Sequence, residues 1–276
     1  MGRACAISRL RSLQSYTAQP PMPFTAAHPA LILPLLGRFR VPCANSALIV
    51  GAMAPDFEYF LRLSPLATMG HSLMGLFVFC LPLGLLVLAL YQLLIKRPLA
   101  LLMPKWVFVR LGPVMQPQRL KACDAPVLAV LVLLGAASHL LWDGLTHGGG
   151  WAQQLWPIWG QVLFTLRGID VPLFKLLQHV SSLVGLAALA WAATRWLGQQ
   201  TESPDAKPWS VRRRWLTLGT MVAAATAIGL CAVLADWPMV QSARAAQVLI
   251  VRFVVASIAG LALSVLVFGV VVTLRS

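Results

Sequence analysis

Residues 72–95 read SLMGLFVFCLPLGLLVLALYQLLI, and this stretch decides the fold. It is longer than the roughly 20 residues that a helix needs to cross the hydrocarbon core of a membrane, and it carries no charged side chain. The apolar run is continuous and lacks the period-two alternation of a transmembrane β-barrel wall. It therefore predicts a transmembrane helix, in which the backbone hydrogen bonds are satisfied within the segment.

Other stretches repeat this pattern along the chain. Clear apolar runs cover residues 126–146, 171–197, 215–235 and 247–274, and a shorter run covers residues 44–61. The chain of 276 residues is 59% hydrophobic and only 11% charged, which leaves too little polar surface to coat a water-soluble domain. We expect an all-α, polytopic membrane helical bundle with about six transmembrane helices, plus a short N-terminal apolar helix within residues 24–39.

The chain divides into four parts by composition. Residues 1–21 contain arginines but no signal-peptide core, which predicts a disordered tail or a mis-assigned start, with Met22 as the alternative first residue. Residues 22–197 form a membrane domain that carries the histidines and acids. Residues 198–214 form a basic loop, and residues 215–276 supply two C-terminal transmembrane helices.

The net charge of +14 is explained by membrane topology. The cations concentrate in the loops at residues 96–124 and 198–214, which predicts that these loops are cytoplasmic in a multi-pass inner-membrane protein. Membrane lipid is then the expected partner of the basic side chains, and nucleic acid is not. The five cysteines form no CxxC pair, so neither a disulfide framework nor a thiolate zinc site is indicated. The oligomeric state does not follow from the sequence.

Ionisable side chains collect at the opposite, periplasmic face. Charged or polar groups inside membrane segments are costly and usually functional. With the predicted topology, this face receives Asp56, His71, His139, Asp143, His147 and His179. His139, Asp143 and His147 recur every four residues, which places all three along one helix stripe.

Imidazole and carboxylate groups together suit a divalent metal ion, and zinc is the ion that we expect. A catalytic zinc site activates water and could hydrolyse an ester or phosphodiester. Asp56 is either a ligand or the base that accepts the proton from water. Lys175, four residues before His179, either faces an anionic substrate group or anchors its helix at the interface. His28 joins the cluster if its apolar segment slants into the membrane from outside.

Purely structural roles also remain open for these residues. The same histidines and acids could form an interhelical hydrogen-bonding network, and Glu58 is expected to be only solvated, two positions from Asp56 on a different helix face. The four tryptophans Trp142, Trp151, Trp156 and Trp159 need no cofactor, because indoles favour the membrane interface.

Several motifs in combination resemble an uncharacterised bacterial family of membrane proteins, the domain of unknown function 4184. They are MPFTAAHP from Met22, GAMAPDFEYF from Gly51, HSLMGLF from His71, SHLLWDGLTH from Ser138 and KLLQHVSS from Lys175. The resemblance runs from Met22 to about Trp196. The motifs are also similar to proteins described as membrane-bound metal-dependent hydrolases, and faintly to zinc-dependent phospholipase C.

The phospholipase resemblance implies an ordered set of ligands, which Asp56, His71, His139, Asp143 and His147 match. Those enzymes also use a His-x-x-x-Glu helix, whereas Leu183 follows His179 at that spacing. One or two ions are therefore expected instead of three. The combined hypothesis is a metal-dependent hydrolase acting on a lipid or phosphoester at the outer face. The alternative is a non-enzymatic protein, or a carrier of metal ions or protons.

Overall fold

The computed structural model describes residues 25–111, 115, 118, 121–166, 168–203, 207–234 and 243–275. The predicted tail at residues 1–21 lies outside this part of the chain. In chain order the α-helices are α1 (Ala44–Met53), α2 (Phe57–Arg62), α3 (Leu73–Leu101), α4 (Lys105–Leu111), α5 (Ala125–Thr146), α6 (Trp151–Leu155), α7 (Leu173–Gly198), α8 (Val211–Leu234) and α9 (Ala243–Leu274).

Helices α3, α5, α7, α8 and α9 are each long and apolar enough to cross a membrane. The predicted all-α bundle is thereby confirmed as a fold class. The described residues contain five such helices, and not six. Residues 44–61 form no single long helix, because a 3₁₀ turn at Ala54–Asp56 containing Pro55 separates α1 from α2.

The predicted N-terminal apolar helix is a 3₁₀ helix, Thr25–Leu35. Pro29 and Pro34 lie inside it and lack the N–H that an α-helical bond pattern requires. The segment packs against α7, α1 and α5, and it buries His28 and Ile32. It is therefore part of the bundle interior.

Helix α3 contains two wide π-turns, at Leu76–Cys80 and Tyr91–Ile95. Each precedes a proline, Pro82 in the first case and Pro98 in the second. A proline ring crowds the carbonyl four residues earlier and offers it no hydrogen bond, which explains why the helix widens at both places.

A small hairpin was not anticipated by the sequence reasoning. Strands β1 (Val162–Leu166) and β2 (Ile169–Pro172) pair antiparallel, with Leu166 opposite Ile169. Gly168 in the turn has φ of +77°, a conformation that favours glycine. Helix α7 consequently begins at Leu173 instead of the predicted residue 171.

The core that fixes the site lies where α1 crosses α5. Ala47, Leu48 and Ala52 of α1 are fully buried against Leu131 and Val132 of α5. The backbones approach closely because glycines stand at the crossing: a Cβ on Gly51 would lie 2.2 Å from the Val132 carbonyl oxygen. This contact sets the distance between the C-terminal end of α1 and the histidine-bearing part of α5.

The two C-terminal helices pack along each other, and α9 also contacts α2 and α3. On α9, Val251 and Val255 bury Tyr59 of α2. Helix α9 therefore supports the segment that carries Asp56 and Glu58.

Candidate metal centre

Five of the predicted site residues converge at one point in the bundle. They come from four separate segments: the N-terminal 3₁₀ helix, the turn between α1 and α2, the loop before α3, and α5. The residues are His28, Asp56, His71, His139 and Asp143. His139 and Asp143 lie one helical turn apart on α5, so they face the same side.

Two imidazoles and two carboxylates form the centre of this cluster. His71 Nε2 lies 3.2 Å from Asp56 Oδ1 and 3.3 Å from Asp143 Oδ2. His139 Nε2 lies 3.5 Å and 3.2 Å from the same two oxygens. Nitrogen and oxygen ligands lie about 2.0–2.2 Å from a tetrahedral zinc ion, which sets them about 3.3–3.6 Å from one another. The observed separations match that geometry to within about 0.1 Å.

The tautomer of His139 follows from its other ring nitrogen. Its Nδ1 donates to the backbone carbonyl of Ala52 at 2.8 Å, in a fully buried setting. A neutral imidazole then presents a lone pair from Nε2 towards Asp56 and Asp143. A lone pair facing two carboxylate oxygens is repulsive unless a proton or a cation lies between them. Donation from the second ring nitrogen to a carbonyl is also the usual arrangement of a metal-ligating histidine.

Buried polar atoms of the cluster lack hydrogen-bond partners. Among the described residues these atoms are His28 Nδ1, Asp56 Oδ1 and Oδ2, His71 Nδ1 and Nε2, and His139 Nε2. Buried polar groups are almost always satisfied in folded proteins. The pairs that His71 and His139 make with Asp56 and Asp143 are close enough for ion pairing but are not aligned as hydrogen bonds, as expected of atoms that share a central partner.

Electrostatics favour a positive charge in this position. Burial alone would raise the pKa of the Asp56 carboxyl, but the neighbouring His139 and His71 outweigh it and hold that pKa well below its usual range. Burial lowers the pKa of His71, but Asp143 and Asp56 together raise it to about 9. The Asp56 carboxylate thus stays ionised, and positive charge on or beside His71 is stabilised.

His28 and His147 approach Asp143 from the other side. His28 Nε2 lies 3.0 Å from Asp143 Oδ1, and its ring stacks on His139 with centroids 3.8 Å apart. His147 Nδ1 lies 3.3 Å from the same oxygen. Because the Gln178 amide nitrogen lies 2.9 Å from His147 Nε2, that ring nitrogen accepts and Nδ1 carries the proton towards Asp143.

Two predicted site residues lie apart from the cluster. His179 is exposed, and neither candidate ligand group in the described part of the chain includes it. Its neighbour Gln178 is the residue of α7 that reaches His147. Lys175 is half-buried and does not line the cavity beside the cluster.

Glu58 has a role that the sequence reasoning missed, since the expectation of a solvated side chain is wrong. Its side chain is only 2% exposed. Its carboxylate accepts from the backbone N–H groups of Thr68, Met69 and Gly70 at 3.1, 2.9 and 2.7 Å, and from Arg62 Nε at 2.8 Å. Burial raises the pKa of Glu58, but these backbone donors lower it to about 2. Glu58 therefore fixes the loop that ends at His71.

A cavity of about 800 Å³ opens beside the cluster. His71, Asp143 and His147 line it together with Tyr59, whose ring lies 5.6 Å from that of His71. Asp56 does not line this cavity, and both of its oxygens are buried. A molecule in the cavity would therefore meet His71, Asp143 and His147 before Asp56 or His139.

Fold and site together define an all-α bundle that has five helices long and apolar enough to span a membrane, in the described part of the chain, and a cluster of histidines and aspartates that could hold a metal ion. The chain belongs to the family described as "Domain of unknown function (DUF4184)", which matches residues 22–270. The match extends past Trp196, so the C-terminal helices α8 and most of α9 are part of the shared domain, contrary to the shorter extent expected. No curated protein and no solved structure matches the chain.

Proposed function

We propose that the protein is a membrane-embedded, metal-dependent hydrolase that cleaves an ester or phosphoester of a lipid at the outer face of the inner membrane. The observation that carries this proposal is the set of four imidazole-to-carboxylate separations between 3.2 and 3.5 Å. Three of the atoms that they join, His71 Nε2, His139 Nε2 and Asp56 Oδ1, are buried and form no hydrogen bond. Imidazole nitrogens and carboxylate oxygens are ligands that suit zinc, and a single zinc ion is the simplest occupant of this site.

In this proposal His71, His139, Asp56 and Asp143 hold the ion. When bound, the ion would supply Lewis acidity, and expansion beyond its four protein ligands would let it activate a water molecule from the cavity at neutral pH. His28 and His147 orient Asp143 by contacting its Oδ1. Of the two roles predicted for Asp56, burial favours the role of ligand, since a proton acceptor must be reached from the cavity.

The orientation in the membrane rests on charge. His147 follows the last residue of α5 at the cluster, while the other end of α5 adjoins the basic segment of residues 96–124, which includes the end of α3 and helix α4. We place that segment in the cytoplasm, because cytoplasmic loops are enriched in Lys and Arg. The cluster then belongs at the periplasmic face.

Turnover by the purified protein tests this proposal. The protein in detergent is stripped with a chelator, reloaded with zinc and incubated with phospholipid and phosphodiester substrates. We expect hydrolysis that depends on the metal and is lost in His139→Ala and Asp143→Asn. His179→Ala is the matched control, because it removes an exposed imidazole outside the cluster. A metal-loaded protein that turns over none of these substrates would contradict the hydrolase and favour a carrier.

A further inference from the structure

The cavity beside the cluster is polar on one side only. Apart from the cluster residues, Tyr59 and the backbone of Gly148, Gly149 and Gly150, its walls are largely hydrocarbon. The apolar lining residues are Leu73, Leu76, Ala137, Leu140, Leu141 and Trp151. Its volume of about 800 Å³ lies within the range of cavities that enclose small molecules and cofactors.

Two leucines that line the cavity are highly exposed on the outer surface of the bundle. Leu141 is 60% exposed and continues a stripe of exposed side chains on α5 that includes Val130 and Leu134. Leu73, at the start of α3, is 79% exposed and also lines the cavity. Both residues belong to helices long and apolar enough to span a membrane. Their exposed faces are therefore the ones that meet lipid.

The cluster lies below the end of α5, and not at its tip. His139 precedes Thr146, the last residue of α5, by seven positions, which corresponds to about 10 Å along the helix axis. Asp143 and His147, which line the cavity, lie within about 5 Å of this end along the helix axis. In a helix about as long as the hydrocarbon core is thick, that places them near the boundary between headgroups and hydrocarbon, where the ester groups of a membrane lipid lie.

We propose that the cavity holds the hydrocarbon tail of a membrane lipid, which enters sideways from the bilayer between Leu73 and Leu141. The tail packs against the leucines and Ala137, while the ester or phosphoester lies against His71, Asp143 and His147. This inference rests on the proposed function and specifies its substrate as a lipid that never leaves the membrane. A soluble phosphoester would leave the apolar wall of the cavity without a partner.

Photo-crosslinking tests the inference without requiring turnover. The full chain is reconstituted in vesicles of phosphatidylethanolamine and phosphatidylglycerol that contain a phosphatidylcholine with a diazirine in its acyl chain. After illumination, mass spectrometry locates the adducts. We expect an excess of adducts at Leu73, Leu76 and Leu140 over Val130 and Leu134, which face lipid outside the cavity.

Filling the cavity with a larger side chain should remove the excess of adducts at the cavity residues. Ala137→Trp places an indole in the cavity, and Leu134→Trp is the matched control on the neighbouring lipid-facing stripe. We expect cavity adducts about tenfold lower in Ala137→Trp, because excluding about two buried methylenes already costs that factor in affinity. Leu141→Trp, at an exposed position that tolerates a larger side chain, provides a second obstruction at the proposed entrance between Leu73 and Leu141.

The possible results separate the two proposals. Adducts spread evenly over the lipid-facing stripe, or cavity adducts unchanged by both obstructing variants, would overturn the lipid-tail inference. Protein treated with a chelator should label equally well, since the tail contacts no metal ligand. Absence of turnover therefore counts against the proposed hydrolase alone, and absence of cavity labelling counts against the lipid tail alone.

Discussion

His139 is held by more constraints than any other residue of the cluster. It is fully buried, donates to the Ala52 carbonyl, stacks on His28 and faces both carboxylates. Its four-residue spacing from Asp143 was readable in the sequence, because helical periodicity alone brings such residues to one face. The predicted membrane topology places Asp56 and His71 at the same end of the bundle as His139. Which of their atoms meet is seen only in the structure.

Substitution of His147 tests whether this residue orients Asp143 or binds the metal ion itself. It touches Asp143 and Gln178 but lies outside the candidate ligand groups of the described chain. We expect His147→Ala to weaken zinc affinity by about 10–100-fold, the usual effect of losing a group that orients a ligand. Competition with a chromophoric chelator measures it, with His179→Ala as the unchanged control. Complete loss of binding would instead make His147 a ligand.

The buried role of Glu58 cannot be predicted from helical periodicity. Its position two residues from Asp56 indicated a different helix face, but the chain bends at Ala54–Asp56 and the loop before His71 returns over it. Which backbone N–H groups a carboxylate meets depends on that return of the chain. No local sequence pattern marks it.

Replacing Glu58 should loosen the loop. We expect Glu58→Gln to lower the free energy of unfolding by about 1–3 kcal/mol, because a buried, charge-assisted set of backbone bonds is weakened. Glu202→Gln is the control, since the Glu202 side chain is exposed and its contact with Arg110 lies at the surface. Thermal unfolding in detergent compares the two variants. Equal melting temperatures would contradict the role assigned to Glu58.

At the scale of elements, long apolar runs were predicted well and broken ones were not. The runs that became α3, α5, α7, α8 and α9 carry enough hydrophobicity to decide their own structure. The run at residues 44–61 contains Pro55 and two carboxylates, so it bends inside the bundle and delivers Asp56 to the cluster. The hairpin of β1 and β2 is short and exposed, and its pattern was hidden beside the long run of α7.

The crossing of α1 and α5 makes an element-scale prediction. A Cβ on Gly135 would lie 2.4 Å from the Leu48 carbonyl oxygen and 2.6 Å from the Ala52 nitrogen. We expect Gly135→Ala to cost about 1–3 kcal/mol of stability by forcing the helices apart. Because Ala52 also holds His139, zinc affinity should fall as well.

Gly219 on α8 provides the control for that variant. A Cβ there would meet no atom within 4 Å. Gly219→Ala should leave stability unchanged or raise it by about 0.4–1 kcal/mol, since alanine restricts the unfolded chain. Unfolding curves that rank the two variants in the opposite order would refute the close approach of α1 and α5.

At the scale of the whole molecule, the basic segment and the cluster of histidines and aspartates lie towards opposite ends of α5. The positions of the basic segments and of the histidine-rich end of α5 can be predicted from the sequence alone. The length of each apolar run predicts a spanning helix, and the number of Lys and Arg residues beside it predicts which end faces the cytoplasm. The cavity between Leu73 and Leu141 does not follow, since it arises from packing between helices distant in sequence.

Topology is testable with a membrane-impermeant maleimide on intact cells. Cys123 is exposed at the basic end of α5 and should stay unlabelled until the membrane is opened. Gln153→Cys, in α6 directly after the loop that follows His147, should be labelled at once in a background with Cys5, Cys123 and the exposed Cys231 replaced by serine. Reversed labelling would place the cluster in the cytoplasm.

The central claim is that His71, His139, Asp56 and Asp143 bind a metal ion, and elemental analysis of the purified protein addresses it most directly. We predict about one zinc ion per chain in the wild-type protein, lost in His139→Ala and Asp143→Asn and retained in His179→Ala. Wild-type protein that remains free of metal after incubation with zinc, or variants that bind as much metal as the wild type, would contradict the account.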